Sequence, residues 1–205
     1  MKYLFRLLIA VAAVATNGAA AQESAVNVLA SNGVQVDIEA DDFSGRAEYT
    51  APKIELDNDF GTLFVAAIKD AGGLSPVIVM GRLYYEGDWR RYDQAVLRGG
   101  EEVKAIFGDR GVVNCSASRY RKCTLGEGFQ LTPTEDQLSR YVEDGRVQVQ
   151  LRAHGLYPVM LSIPVSHFEA VAEVSKQPGY TSGAPAEGMS DERQRSPETD
   201  STGLW

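Results

Sequence analysis

Strict alternation of apolar and polar residues is the sequence feature that most restricts how this chain can fold. The segment "GVQVDIEA" (33–40) alternates Val34, Val36 and Ile38 with polar residues, and "RVQVQLRA" (146–153) repeats the pattern. A period of two puts successive side chains on opposite faces of a strand. Both segments are therefore predicted to be strands with one buried face.

Most of the chain between residues 33 and 163 divides into similar short segments. Residues 61–70 and 76–85 are the most apolar, and they have the length of strands that are buried on both faces. Gly99-Gly100 interrupts another apolar stretch and predicts a hairpin between two short strands. Helices between these segments are missing, which argues against a parallel, doubly wound sheet.

Two helices are predicted late in the chain. Thr134 and Gln137 have the spacing of a capping box, and Pro164 suits the first turn of a second helix. The predicted fold is mainly β, either an antiparallel β-sandwich or an α+β domain with two short helices near the C-terminal end. This single β-rich globular domain is expected to span residues 25–175.

The N-terminal residues have the pattern of an export signal. Lys2 and Arg6 precede a short apolar run at 7–14, and small residues follow up to Ala21. The run is shorter than the about 20 residues that a membrane-spanning helix needs. Residues 1–21 are therefore predicted to be a signal peptide that is cleaved after Ala21, and a periplasmic or secreted bacterial protein without a transmembrane segment is expected.

The C-terminal residues 176–205 are rich in Gly, Ser, Thr, Pro and charged residues. Such a composition buries too little apolar surface to offset the entropy of ordering, so a disordered polar tail is predicted. The formal net charge of the chain is -8. Nucleic acids and anionic lipid surfaces select basic patches, so neither is expected as a partner.

Both cysteines of the chain lie in the segment "NCSASRYRKC" (114–123). A structural zinc site usually needs four ligands, and neither His154 nor His167 is near in sequence. A C-x-x-C redox motif is also absent. In an exported protein, Cys115 and Cys123 on the two arms of a predicted hairpin most simply form one disulfide. No metal site is predicted.

Two surfaces are candidates for ligand or partner binding. Arg119, Arg121 and Lys122 would lie at the tip of the hairpin and make it locally basic, although a solvated turn is the favoured interpretation. The aromatic stretch 83–95 could stack on a sugar ring, and core packing is the favoured alternative. Its aromatic and polar candidates are Tyr84, Tyr85, Trp89, Tyr92, Arg90, Arg91 and Asp93.

The segments "YYEGDWRRYDQA", "AIFGDRGVVNCS", "CTLGEGFQLTPTEDQL" and "LSIPVSHFEAV" resemble a broad set of uncharacterised bacterial exported proteins. The resemblance covers residues 84–171, which is less than half of the chain. It implies a small β-rich envelope domain with a paired-cysteine hairpin. It brings no activity and no catalytic residue.

No motif for a nucleophile elbow, a zinc protease or a phosphate-binding loop is present. The sequence therefore favours a non-enzymatic binding or interaction module without a cofactor, whose partner is an envelope protein or a small ligand. The alternative is a periplasmic hydrolase with a site assembled from scattered residues. That alternative predicts a pocket in which His154 or His167 meets a carboxylate or a serine.

Overall fold

Short antiparallel strands make up most of the structure. The computed structural model of the protein describes residues 24–41, 43–57, 60–115, 123–153 and 158–177. The strands are β1 (Ser24–Leu29), β2 (Gln35–Asp41), β3 (Arg46–Thr50), β4 (Ile54–Glu55), β5 (Gly61–Asp70), β6 (Gly73–Leu74), β7 (Ile78–Glu86), β8 (Tyr92–Leu97), β9 (Lys104–Asn114), β10 (Thr124–Thr132), β11 (Val142–Glu143), β12 (Arg146–Ala153) and β13 (Val159–Pro164). The helices are α1 (Glu135–Arg140) and α2 (Val165–Ser175). The predicted mainly β, antiparallel fold is confirmed.

The strands form two sheets. The larger sheet has the order β1-β2-β3-β5-β7-β10-β9, and the short strands β4 and β6 also pair with β5. In the smaller sheet β12 pairs with β8, β11 and β13. Along β2 and β12 every second side chain is buried, as their alternating sequences predict.

Inward side chains from both sheets and from α2 belong to one hydrophobic cluster. Leu63 of β5, Leu131 of β10, Leu151 of β12, Leu161 of β13 and Val171 of α2 are all fully buried. Each such side chain contributes about 1.5–3 kcal/mol to the free energy of unfolding. This shared core fixes the position of the smaller sheet relative to the strands β7, β10 and β9.

Both predicted helices are confirmed. The Thr134 side chain accepts a hydrogen bond from the Gln137 N–H, and the Gln137 side chain accepts one from the Thr134 N–H, which completes the capping box of α1. Pro164 is the N-cap of α2. Helix α2 packs on β2, β3, β5 and β13. Its Glu173 carboxylate accepts a 2.6 Å hydrogen bond from Ser31 Oγ, which ties the helix to the β1–β2 turn.

The strand pattern differs from the prediction at two places. Gly99 and Gly100 do form a tight turn with positive φ angles, but β8 and β9 continue into different sheets. The two glycines determine the turn, whereas packing in the hydrophobic core determines which strand each of β8 and β9 pairs with. Strand β1 was not predicted, because it is an edge strand whose Val26 and Leu29 side chains are exposed and leave no alternating pattern of burial.

No helix in the described ranges is long and apolar enough to cross a membrane. The predicted signal peptide, residues 1–21, lies outside the described residues. The predicted tail, residues 176–205, is described only at Lys176 and Gln177. Lys176 is the C-cap of α2, so the described part of the chain ends one residue after this helix cap.

Candidate functional site

The cysteine hairpin forms as predicted. Asn114 and Thr124 are paired at the end of the β9–β10 ladder, and the next residues along the two arms, Cys115 and Cys123, form a disulfide. Their Cα atoms are 4.2 Å apart. The disulfide therefore closes the end of the hairpin, directly beyond its last paired residues.

Four residues singled out from the sequence lie outside the described ranges. They are Arg119, Arg121 and Lys122 of the hairpin tip, and His154. The basic tip as a docking surface, and His154 as a general base, stay predictions.

The carboxylate of Glu127 is the most unusual group in the described structure. It lies in the middle of β10, faces the core and is only 3% exposed. One oxygen accepts hydrogen bonds from the Tyr85 hydroxyl and, at 2.8 Å, from the Arg91 N–H. The other accepts from the Tyr92 N–H at 3.2 Å and from Arg110 Nε at 3.3 Å. A buried carboxylate needs such partners, because an unpaired one would be very costly.

The turn between β7 and β8 is shaped around this carboxylate. Arg91 has a left-handed backbone with φ of 57°. This conformation aims the N–H groups of Arg91 and Tyr92 at the two oxygens of Glu127. The preceding N–H, of Arg90, donates at 3.1 Å to the Tyr85 hydroxyl. Three successive backbone groups are therefore held by the Tyr85–Glu127 pair.

A β-bulge in β9 completes the surroundings of Glu127. The register shifts there, so that Asp109 and Arg110 of β9 lie opposite Glu127 alone. Asp109 has a positive φ of 45°. The extra residue lets Arg110 bind Glu127 while Asp109 pairs with Arg82 at 2.5 Å.

Glu127 is held in its charged form. Burial alone would raise its pKa, but the hydrogen bonds from Tyr85, the Arg91 N–H, Arg110 and the Tyr92 N–H together lower the pKa below its ordinary value of 4.5. Burial and the bond to Glu127 raise the pKa of the Tyr85 hydroxyl. A carboxylate that is buried, saturated with donors and charged at neutral pH serves as an anchor for the β7–β8 turn rather than as an acid or a nucleophile.

The anchored turn fixes the guanidinium of Arg90. Its central carbon lies 4.7 Å from the centre of the Phe60 ring and 4.5 Å from that of the Tyr85 ring, which are typical cation–π distances. Nη1 donates to the Tyr92 hydroxyl at 3.2 Å. Within the described part of the chain, Arg90 makes no ion pair with a carboxylate. Its charge is therefore positioned without an ion-pair partner among the described residues.

Arg90 lines a cleft of about 320 Å³ that we call the Arg90 cleft. The lining residues are Leu56, Asp57, Phe60, Arg90, Pro158, Val159 and Met160. Most of these described residues are apolar, and the charged ones among them are Arg90 and Asp57. The cleft therefore offers one cation, one carboxylate acceptor and an apolar wall.

Trp89 and Tyr92, two of the four aromatic binding candidates, occupy different environments. Tyr92 is 1% exposed and belongs to the core, whereas Trp89 is half-buried and packs against it. Binding through Trp89 stays a prediction.

The sequence interpretation overlooked Glu127, although a signal was present: Glu127 takes an inward position in β10 between Leu125 and Phe129.

His167 makes no catalytic constellation in the part of the chain that the structure describes. Its Nδ1 atom is buried there without a hydrogen-bond partner. Burial and the nearby Arg146 cation lower the pKa of the imidazole. The described residues also contain no cluster of three His, Cys, Asp or Glu side chains that could hold a metal ion.

Comparison with protein families, with curated proteins and with solved structures found no match. The chemistry of the site therefore rests on its own residues and distances.

Proposed function

We propose that the protein is an exported, non-enzymatic binding module of the bacterial envelope that holds a carboxylate-bearing ligand in the Arg90 cleft. The observation that carries this proposal is the Arg90 guanidinium, stacked on two aromatic rings and left without a carboxylate partner in the described structure. A planar guanidinium presents parallel N–H groups that match the two oxygens of a carboxylate.

Preorganisation supports a binding role for Arg90. The side chain is fixed by the rings of Phe60 and Tyr85, and its backbone N–H is fixed by the Tyr85 hydroxyl. Little rotamer freedom is then lost when a ligand binds, which favours affinity. The partly buried position also strengthens the attraction to an anion relative to a fully solvated arginine.

The rest of the cleft suggests the other groups of the ligand. Asp57 can accept a hydrogen bond from a hydroxyl or an ammonium group. Phe60, Val159 and Met160 supply apolar contacts. A compact ligand with a carboxylate, a polar donor and an apolar face fits this combination.

The arrangement of the described acidic and histidine side chains supports binding rather than hydrolysis. Glu127 is enclosed and saturated, and His167 contacts neither a carboxylate nor a serine side chain within the described ranges. No observation on the described residues supports the hydrolase alternative.

Export is part of the proposal. The N-terminal pattern, the resemblance to bacterial exported proteins and the Cys115–Cys123 disulfide all support it, because disulfides persist in oxidising compartments. Fractionation of cells that express the full chain, followed by N-terminal sequencing, tests it. Recovery in the periplasm or medium with Gln22 as the first residue is expected, and an uncleaved cytoplasmic protein would contradict it.

Binding is tested with small carboxylates and their neutral counterparts. The panel contains D-galacturonate with D-galactose, together with lactate, alanine and glutamate. Two-dimensional ¹H–¹⁵N NMR spectra report on arginine Nε–H groups. At least one carboxylate should shift the Arg90 signal and the backbone N–H signals of Phe60 and Val159, and the paired neutral sugar should not. Arg90→Gln should abolish the shifts of these two backbone signals.

Arg91→Gln is the matched control. It removes the same charge one position along, but the Arg91 side chain is exposed and the backbone N–H that binds Glu127 is kept. Normal binding by this variant is expected. If no carboxylate produces a response that depends on Arg90, the proposed site is wrong.

A further inference from the structure

The Arg90 cleft shares Met160 with a second depression, which we call the β12 trough. Met160 is 52% exposed and lines both. The trough has a volume of about 270 Å³ and crosses the outer face of the smaller sheet. Its polar and apolar lining includes Val96, Arg98, Gln148, Gln150, Arg152 and Met160. No acidic residue is among the described residues that line it.

The outer face of β12 is cationic and amide-rich. Arg146, Gln148, Gln150 and Arg152 alternate with buried residues along the strand. Arg152 donates to Gln150 Oε1 at 2.6 Å, and Arg146 donates to Ser162. Neither arginine has a carboxylate partner in the described part of the chain.

The other charged residues near the trough do not neutralise the positive charges of Arg146 and Arg152. Arg98 is paired with Glu143, and the described residues that line the trough include no carboxylate. The chain as a whole carries a net charge of -8. A face with two arginines that lack a carboxylate partner among the described residues, on such an acidic protein, is complementary to an anionic ligand.

We infer that the ligand is a segment of an acidic polysaccharide, which enters the Arg90 cleft with one carboxylate and continues past Met160 along the β12 trough. The inference rests on the proposed function, because it extends the same site. Gln148 and Gln150 offer both donors and acceptors to sugar hydroxyls. Met160 offers apolar surface to the C–H face of a sugar ring.

The pairing of β12 argues against a peptide ligand. Strand β12 has β13 on one side, and β8 and β11 on the other. Its backbone groups are therefore engaged, and an acidic peptide cannot add to it as a further strand. Recognition at this face depends on side chains alone.

The length of strand β12 sets the length of the ligand. Arg152 follows Leu151, which pairs with Val159 of the cleft lining, whereas Arg146 pairs with Pro164 at the far end of β13. The two arginines are six residues apart, which corresponds to about 20 Å. A single sugar acid in the Arg90 cleft cannot span this distance to Arg146, whereas a chain of several units can. Affinity should therefore rise with the number of charged sugar units.

Galacturonate oligomers of one to six units test this inference by isothermal titration calorimetry at low salt. We expect the hexamer to bind about tenfold or more tightly than the monomer, and added salt to reduce the difference. Arg146→Gln, at the far end of β12, should weaken hexamer binding by about three- to tenfold and leave monomer binding unchanged. Neutral malto-oligosaccharides of the same lengths should not bind.

Arg46→Gln is the matched control, because Arg46 is an exposed arginine of the larger sheet that pairs with Glu48. It should leave hexamer binding unchanged. Monomer binding that depends on Arg90, without any gain for the hexamer, would overturn the inference and leave the proposed function standing. Failure of both monomer and hexamer would overturn both. Equal binding of hexaglutamate would show that the ligand is an acidic protein segment, which also refutes the inference.

Discussion

The Tyr85–Glu127 pair makes a sharp prediction about stability, because one hydrogen bond joins two partners that lie 42 residues apart in the sequence. The perturbations are Glu127→Gln, Tyr85→Phe and the double variant. All three preserve side-chain shape closely, so that the change in free energy of unfolding reports on polar contacts rather than on cavities.

Glu127→Gln replaces one acceptor oxygen by a donor NH₂ group. In one orientation of the amide, the NH₂ group faces the N–H of Tyr92 and the Arg110 guanidinium; in the other it faces the N–H of Arg91. Either orientation leaves a backbone N–H without its acceptor, at a cost of about 1–3 kcal/mol, and the charge-assisted bonds weaken as well. A total loss of about 3 kcal/mol is expected.

Tyr85→Phe removes the hydroxyl that donates to Glu127 and accepts from the Arg90 N–H. A hydrogen bond to a charged group contributes about 1.5–3 kcal/mol. Because both single variants remove this same bond, their effects should not add. The double variant should be more stable than the sum of the two losses predicts, by about 1–2 kcal/mol.

Acidification gives an independent check. The folded-state pKa of Glu127 lies below its unfolded value, so between the two the unfolded chain binds more protons. The stabilisation by Glu127 is therefore present above the ordinary value of 4.5 and is lost as the pH falls through the folded pKa. The difference in free energy of unfolding between the wild type and Glu127→Gln should decrease from pH 6 to pH 3.

Urea denaturation of the oxidised protein, followed by tryptophan fluorescence, measures these differences. Tyr84→Phe and Glu169→Gln are the controls, since Tyr84 is the half-buried neighbour in β7 and Glu169 is exposed on α2. Both should stay within about 0.5 kcal/mol of wild type. A loss below about 1 kcal/mol for Glu127→Gln, or additive losses in the double variant, would refute the anchoring role of Glu127.

Two further predictions concern the disulfide and His167. Replacing Cys115 and Cys123 by serine opens a nine-residue loop and should lower the free energy of unfolding, measured by urea denaturation, by about 2.6 kcal/mol. A reductant should destabilise the wild type but not this variant. Equal sensitivity of the two proteins to the reductant would contradict the prediction. The pKa of His167 is lowered on folding, so the wild type should lose stability as the pH falls through 6.5. In thermal denaturation between pH 7 and 5, the melting temperature of His167→Gln should depend less on pH than that of the wild type. An identical pH dependence of the two proteins would contradict this prediction.

The strands and caps could be predicted because their signals are local. Alternation in β2 and β12 follows from the two-residue period of a strand, and the Thr134 cap needs only a spacing of three residues. The disulfide followed from two cysteines at opposed positions of a hairpin. Each of these depends on residues within about ten positions of one another, where chain geometry leaves few alternatives.

The candidate site could not be assembled in the same way. Glu127 meets Arg91 across 36 residues and Arg110 across 17, and these contacts depend on the order of strands in the sheet. The assignment of β8 to the smaller sheet had the same difficulty, because its partner β12 lies some 50 residues further along the chain. An inward glutamate in an apolar strand does indicate a buried network, but it does not identify the partners.

The bulge at Asp109 also lowers the tendency of the protein to aggregate through the edge of its larger sheet. Strand β9 is the outer strand of the larger sheet, has eleven residues, and exposes Ile106, Val112 and Val113. A straight, apolar outer strand of this length would be a template for pairing with another chain and for aggregation. The bulge divides β9 into two short parts, and a strand from another chain cannot pair with both of them continuously. Asp109, the bulge residue that directs Arg110 toward Glu127, therefore also hinders the addition of further strands to the sheet.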